Sequence, residues 1–70
     1  MNTKRDRFLR LAEKRTNRVL ESLRVLGNCS NPRAYEYEEE EIERIFREIE
    51  SEVRRTKAQF GKATRTEFRL

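Results

Sequence analysis

Apolar residues recur along the first part of the chain at intervals of three, four and seven. At 3.6 residues per turn, this spacing places them on one face of a helix. No Gly or Pro interrupts the pattern, and Thr3 or Asn2 can cap its first turn. The face consists of Phe8, Leu11, Ala12, Val19, Leu23 and Leu26, with Leu9 and Leu20 along one edge. The pattern predicts an amphipathic helix over residues 3–26.

A second periodic stretch begins at the acidic run Glu38–Glu41. Four carboxylates there lie near the positive end of a helix dipole, which they stabilise. The apolar stripe that follows is narrower than the first and consists of Ile42, Ile45, Phe46, Ile49, Val53 and Phe60. We expect a helix over residues 38–60 that ends at Gly61, with residues 61–70 as a flexible basic tail.

The connection between the two helices, residues 27–37, contains the chain's cluster of turn-forming residues. Gly27 and Asn28 are expected to end the first helix, because they best tolerate a left-handed conformation. Asn31 before Pro32 predicts a short helical turn, with Asn as the cap and Pro at the first helical position.

Two helices joined by such a connection predict an all-α, antiparallel two-helix hairpin that occupies residues 1–60. With 70 residues, 34% of them hydrophobic and 43% charged, one hairpin buries too little surface to be stable alone. Cys29 is the only cysteine and the chain has no His, so a disulfide within the chain is impossible and a metal site is not expected. We therefore expect self-association into a four-helix or larger homo-oligomeric bundle.

The lengths of the apolar runs indicate the cellular compartment that we expect for this protein. No run reaches the length of a membrane span, and the basic N-terminal residues lack the apolar segment of a secretory signal. A lone cysteine agrees with a reducing compartment. We therefore expect a cytoplasmic protein. We expect no membrane partner, because the apolar face of the first helix can pack against the second helix instead of a lipid surface.

Charge is distributed unevenly along the chain. Residues 1–27 carry eight Lys or Arg and three Asp or Glu, whereas residues 28–41 carry one and five. This polarity favours an anionic partner for the first segment, or the opposite-charge face of another copy.

Arg15 is the residue of the first helix that fits a structural role least well. It borders the apolar stripe, beside Leu11, Ala12 and Val19, so its guanidinium must reach back to water, pair with a carboxylate or face a ligand. Arg18 follows one turn later, and Ser22 extends the same polar edge.

The connection adds further donors and two aromatic rings. Aromatic rings beside Arg and Asn can stack on nucleobases while the cations hold phosphates. The structural alternative is ordinary turn chemistry, with the tyrosines fixing the helix start. The candidate ligand-binding residues are Arg15, Arg18, Arg24, Asn28, Ser30, Asn31, Arg33, Tyr35 and Tyr37.

Several of these residues also carry a resemblance. Arg15, Asn17 and Arg18, then Gly27-Asn28, Ser30-Asn31 and Tyr35-Glu36-Tyr37, lead into an acidic helix start with Ile45-Phe46. Over roughly residues 7–60 the chain resembles a group of short bacterial and mobile-element proteins that have no assigned activity. The resemblance implies a bacterial or phage setting and transfers no site. Where that group tends to have Thr before the acidic run, this chain has Glu38.

The residues of known catalytic motifs are missing. The sequence has no Gly-rich phosphate loop, Cys/His cluster or recognisable nucleophile and base, so we expect neither an enzyme nor a cofactor. A helix-turn-helix reader of duplex bases is disfavoured, because the turn is long and a third helix is missing. The hypothesis favoured is an oligomeric module that binds nucleic acid or a nucleotide signalling molecule. The alternative is a protein-interaction module, such as a phage or plasmid inhibitor of a host protein.

Overall fold

A computed structural model describes residues 3–64, with side chains as far as Gly61. Over these residues the chain is helical and contains no strand, which confirms the all-α prediction. Its elements are helix α1 (Thr3–Gly27), a 3₁₀ turn (Asn28–Ser30) and helix α2 (Glu39–Thr64). The chain divides into two units, one ending at Glu36 and the other beginning at Tyr37.

Helix α1 exposes most of its apolar stripe. Leu11, Ala12 and Leu26 are half-buried, and none of its residues is buried. The ring of Phe8 is 48% exposed and lies under the Arg5 guanidinium, 5.9 Å from its centroid, a cation–π distance. Such a contact covers part of one ring, so the stripe as a whole remains available to a partner.

Helix α1 ends at Gly27, close to the predicted end at residue 26, but the backbone conformation there differs from the prediction. Gly27 has φ −61° and ψ −22°, a right-handed helical conformation, and no residue between 3 and 64 has a positive φ. The backbone continues through the 3₁₀ turn and first becomes extended at Asn31, with φ −70° and ψ 109°. The residue that stops the helix is Pro32, which disfavours helical geometry at the residue before it and has no N–H to donate to Asn28. The prediction that Gly27 and Asn28 end the helix in a left-handed conformation is therefore wrong.

The short turn predicted at Asn31 and Pro32 is confirmed. The Asn31 carbonyl oxygen accepts hydrogen bonds from the backbone N–H groups of Ala34 (3.1 Å) and Tyr35 (3.0 Å). The Asn31 side-chain Oδ1 accepts from the backbone N–H of Arg33 at 3.1 Å. Asn31 thus caps a single helical turn whose first position is Pro32, the arrangement that satisfies the free N–H groups of a helix start.

Helix α2 starts with a side-chain cap that the sequence pattern did not reveal. The backbone N–H of Glu38 donates to Glu41 Oε1 at 2.8 Å, while the Glu38 carbonyl accepts from the N–H of Glu41 at 3.0 Å. This is the carboxylate half of a capping box, in which the third helical residue reaches back to the cap. At least one glutamate of the acidic run therefore has a structural function at the helix start, as expected.

The far end of α2 also differs from the prediction. The helix runs through Gly61 to Thr64, so residues 61–64 of the predicted tail are helical, and residues 65–70 lie outside the described part of the chain. Gly61 does not adopt the left-handed conformation that stops a helix. Glycine permits that conformation without imposing it, and Lys62-Ala63-Thr64 contains no proline to block the helix.

Both glycines lie in right-handed helix with nothing within 4 Å of an added Cβ. Gly27→Ala and Gly61→Ala are therefore expected to stabilise their helices, by about 0.4 to 1 kcal/mol at most, because alanine has less freedom to lose on folding. Thermal unfolding followed by circular dichroism at 222 nm measures the effect. A left-handed Gly27 predicts the opposite sign, a loss of about 1 to 2 kcal/mol in Gly27→Ala.

Candidate functional site

The predicted site residues divide between the two units. Eight of them belong to the first unit, and Tyr37 opens the second. All nine side chains are exposed. Those of the first unit are Arg15, Arg18, Arg24, Asn28, Ser30, Asn31, Arg33 and Tyr35.

Helix α1 presents Arg15 and Arg18 to solvent. The ion pairs seen among the described residues are Glu21–Arg24 and Glu52–Arg55, so neither Arg15 nor Arg18 has its charge compensated by a described carboxylate. Of the three fates expected for Arg15, pairing with a carboxylate is not observed within the first unit. Both guanidiniums keep their donors available to an anion.

Arg24 is in a different state from the other two arginines of α1. Its Nη1 donates to Glu21 Oε1, three residues earlier on the same helix face. Both side chains are about two-thirds exposed, and such a pair adds at most about 1 kcal/mol to stability. The pair engages one donor of Arg24, whereas Arg15 and Arg18 have no such partner among the described residues.

The connection holds its donors in fixed geometry through the backbone. Asn28 and Ser30 lie in the 3₁₀ turn, and Asn31 caps the turn that follows. The Asn31 Oδ1 accepts the cap hydrogen bond, and its amide N–H groups are donors that a ligand could use. The cap and Pro32 fix the backbone from which the Arg33 and Tyr35 side chains extend.

Arg33 and Tyr35 are the best-placed pair of the connection. Arg33 forms no ion pair with the described carboxylates, and Tyr35 is 53% exposed. A planar guanidinium and a phenol ring two residues apart can hold a phosphate and stack on a base. Ser30 and Tyr37 already take part in other interactions, so we assign them no free donor.

A row of cations on α1 was missed by the sequence reasoning. Arg7, Arg10, Lys14 and Arg18 follow one another at spacings of three, four and four, and all four are exposed. We call these residues the basic row. Like charges at these spacings destabilise a helix by about 0.2 to 0.5 kcal/mol per pair, so the row weakens α1 unless an anion covers it.

Two other features, a metal site and a membrane-spanning helix, are absent from the described residues. Between residues 3 and 64 no group of three or more Cys, Asp or Glu side chains could hold a metal ion. Neither helix contains, within those residues, a stretch long and apolar enough to cross a bilayer.

Comparison with known proteins identifies no relative of this chain. No family model matches the chain, and no curated protein or solved structure matches it either. The resemblance to short bacterial and mobile-element proteins therefore stays a prediction.

The cap at Asn31 is open to a direct test. Asn31→Ala removes the acceptor of the Arg33 N–H and is expected to destabilise the turn by about 0.5 to 2 kcal/mol, whereas Asn31→Asp keeps an acceptor and preserves it. Amide hydrogen exchange at Arg33, Ala34 and Tyr35 reports the change. Equal protection in both variants would show that Pro32 alone holds the turn.

Proposed function

We propose that the protein is a small, non-enzymatic binding module for an anionic nucleotide partner, recognised by the first unit. The observation that supports this function is the presence of three exposed arginines without a carboxylate partner, Arg15, Arg18 and Arg33, in the same unit as the exposed Tyr35 ring. Phosphates accept hydrogen bonds from guanidinium groups, and bases stack on aromatic rings.

The charge of α1 supports a polymeric partner over a free nucleotide. Residues 3–27 carry eight basic and three acidic side chains. Pockets for small ligands are concave and cover most of the ligand, whereas the candidate residues here are exposed surface side chains. Nucleic acid is therefore the partner that we favour, in the cytoplasm of a bacterial host as the resemblance implies.

We also propose that the two helices pair as an antiparallel hairpin and that hairpins associate. The supporting observation is the exposure of both apolar stripes, including Val19 at 56% and Phe46 at 44%. The stripe of α1 includes Phe8, Ala12, Val19 and Leu26, and that of α2 includes Ile42, Phe46, Ile49, Val53 and Phe60, at intervals of three, four and seven as in a coiled-coil seam.

The same exposed stripes favour a second candidate function. A protein-interaction module, for example a phage or plasmid inhibitor of a host protein, would dock an apolar helix face onto its target. In that case the apolar stripe of α1, and not its arginines, determines affinity.

The nucleotide partner is tested by charge reversal. Arg15→Glu/Arg33→Glu is expected to lower affinity for a labelled nucleic acid at least tenfold, because two cations are replaced by anions next to phosphates. Arg47→Glu/Arg54→Glu makes the same charge change on α2 and is expected to bind more tightly than the first variant. Fluorescence anisotropy measures both.

Freshly purified protein supplies an independent readout of the same function. A raised ratio of absorbance at 260 nm to that at 280 nm, with nucleotide or nucleic acid identified by mass spectrometry after denaturation, supports the proposal. Intact binding in Arg15→Glu/Arg33→Glu would refute the proposed site. Specific capture of a host protein without nucleotide would favour the second candidate.

Self-association is tested by sedimentation at micromolar concentration. Wild-type protein is expected to sediment as a dimer or larger species, and Ile49→Asp to dissociate and lose helicity because a carboxylate enters the seam. Ala58→Asp introduces the same group on the opposite face of α2 and serves as the matched control. A helical wild-type monomer that persists on dilution would contradict the proposal.

A further inference from the structure

We propose that the basic row of α1, Arg7, Arg10, Lys14 and Arg18, binds the phosphate backbone of duplex nucleic acid without reading its bases. This inference rests on the proposed function and specifies its ligand class. It moves the main contact surface from the connection to a face of α1.

The row forms one continuous line of positive charge. Helix α1 runs without interruption from Thr3 to Gly27. At about 1.5 Å of rise and about 100° per residue, the row covers about 16 Å of the helix and about 80° of its circumference. One strand of a duplex presents a phosphate every 3.4 Å or so along the axis, so several phosphates come within reach of four long side chains.

Arg7 and Lys14 have no carboxylate three or four residues away, and the acidic neighbours of Arg10 and Arg18 form no ion pair with them. Glu21 lies three residues after Arg18 and three before Arg24, and it pairs with Arg24. Asp6 and Glu13 flank Arg10 at helical spacing, yet neither forms an ion pair with it. The row therefore presents four cations, and the one carboxylate at its end is bound elsewhere.

The row itself contains no aromatic ring, and the Tyr35 ring lies outside it in the connection, so we infer a duplex as the partner of this face of α1. Binding of single strands relies on aromatic side chains that stack on successive bases. The only aromatic residue of α1 is Phe8, which lies about a third of the way around the helix from the row and carries the Arg5 guanidinium over its ring. Phosphate contacts alone give affinity and position without sequence readout.

Helix α2 has similar cations without forming such a row. Arg44, Arg47 and Arg54 each have a glutamate four residues earlier, at Glu40, Glu43 and Glu50. Positive and negative charges therefore alternate along that face. These arginines make a matched control, because their removal changes net charge equally.

The test is the salt dependence of affinity for a short mixed-sequence duplex. Each phosphate contact contributes about −0.9 to the slope of log affinity against log salt, so Arg7→Gln/Arg10→Gln/Lys14→Gln is expected to flatten the slope by about 2.7. Between 50 and 200 mM salt, the loss of affinity then becomes about 40-fold smaller than in wild type. Glutamine favours helix, and circular dichroism confirms that α1 is retained.

Two further variants complete the design. The control Arg44→Gln/Arg47→Gln/Arg54→Gln is expected to keep the wild-type slope. The single change Arg10→Gln is expected to flatten the slope by about 0.9, which gives the same answer if the triple variant fails to fold.

The outcomes separate this inference from the function on which it rests. Any one of three results would overturn the inference about the basic row. The first is an equal slope in the row variant and the control, and the second is tighter binding of a single strand than of the duplex. The third is binding of vesicles containing phosphatidylglycerol without binding of duplex. If Arg15→Glu/Arg33→Glu abolishes nucleic-acid binding while the row variant keeps the wild-type slope, the proposed function stands and the row fails. A wild-type protein that binds no nucleotide or nucleic acid overturns both.

Discussion

The two units of this protein must gain stability without an apolar core of their own. No described side chain between Thr3 and Gly61 is buried, and large residues such as Val19, Val53 and Phe60 remain more than half exposed. Covering apolar surface contributes about 25 cal/mol for each Å² removed from water, which is the main favourable contribution to folding. Within each unit this contribution is small, so the helices depend on local interactions and on whatever covers their stripes.

The local interactions are concentrated at the helix ends. Glu41 caps the start of α2, and Asn31 with Pro32 forms the next turn after α1 and its 3₁₀ extension. Caps of this kind contribute about 1 kcal/mol each. They determine where the helices begin and end, but most of the stability of a helix in a protein comes from packing of its amphipathic face. Packing against another surface has to supply the rest, and this is the physical ground for proposing a hairpin and its self-association.

The sequence predicts the features that depend on side-chain pattern or on a covalent constraint. The apolar periodicity located both helices, and the Asn31-Pro32 pair located the turn because proline restricts the backbone whatever surrounds it. The glycine predictions failed for the opposite reason. Gly27 and Gly61 allow a left-handed stop without requiring one, and both are helical here.

The structure distinguishes among the candidate site residues by features that the sequence pattern does not show. Arg15, Arg18, Arg33 and Tyr35 are exposed and form no ion pair among the described residues, whereas Arg24 pairs with Glu21 and the Asn31 side chain caps a turn. Glu21 lies three residues from both Arg18 and Arg24, so the spacing alone does not predict which arginine its carboxylate pairs with. The basic row is not visible in the distribution of charge along the chain, because its members are three or four residues apart and come together only on one face of the helix.

The apolar stripe and the basic row make different demands on α1, and they lie on different sides of it. The stripe requires an apolar surface, and the row requires an anion that relieves the repulsion between neighbouring cations. Both can be satisfied at once, because a partner helix on the stripe leaves Arg7, Arg10 and Lys14 facing water. If assembly stabilises the helix that presents the row, then an anion that binds only the helical form stabilises the assembly in return. Under the two proposals together, ligand binding and self-association are therefore expected to strengthen each other.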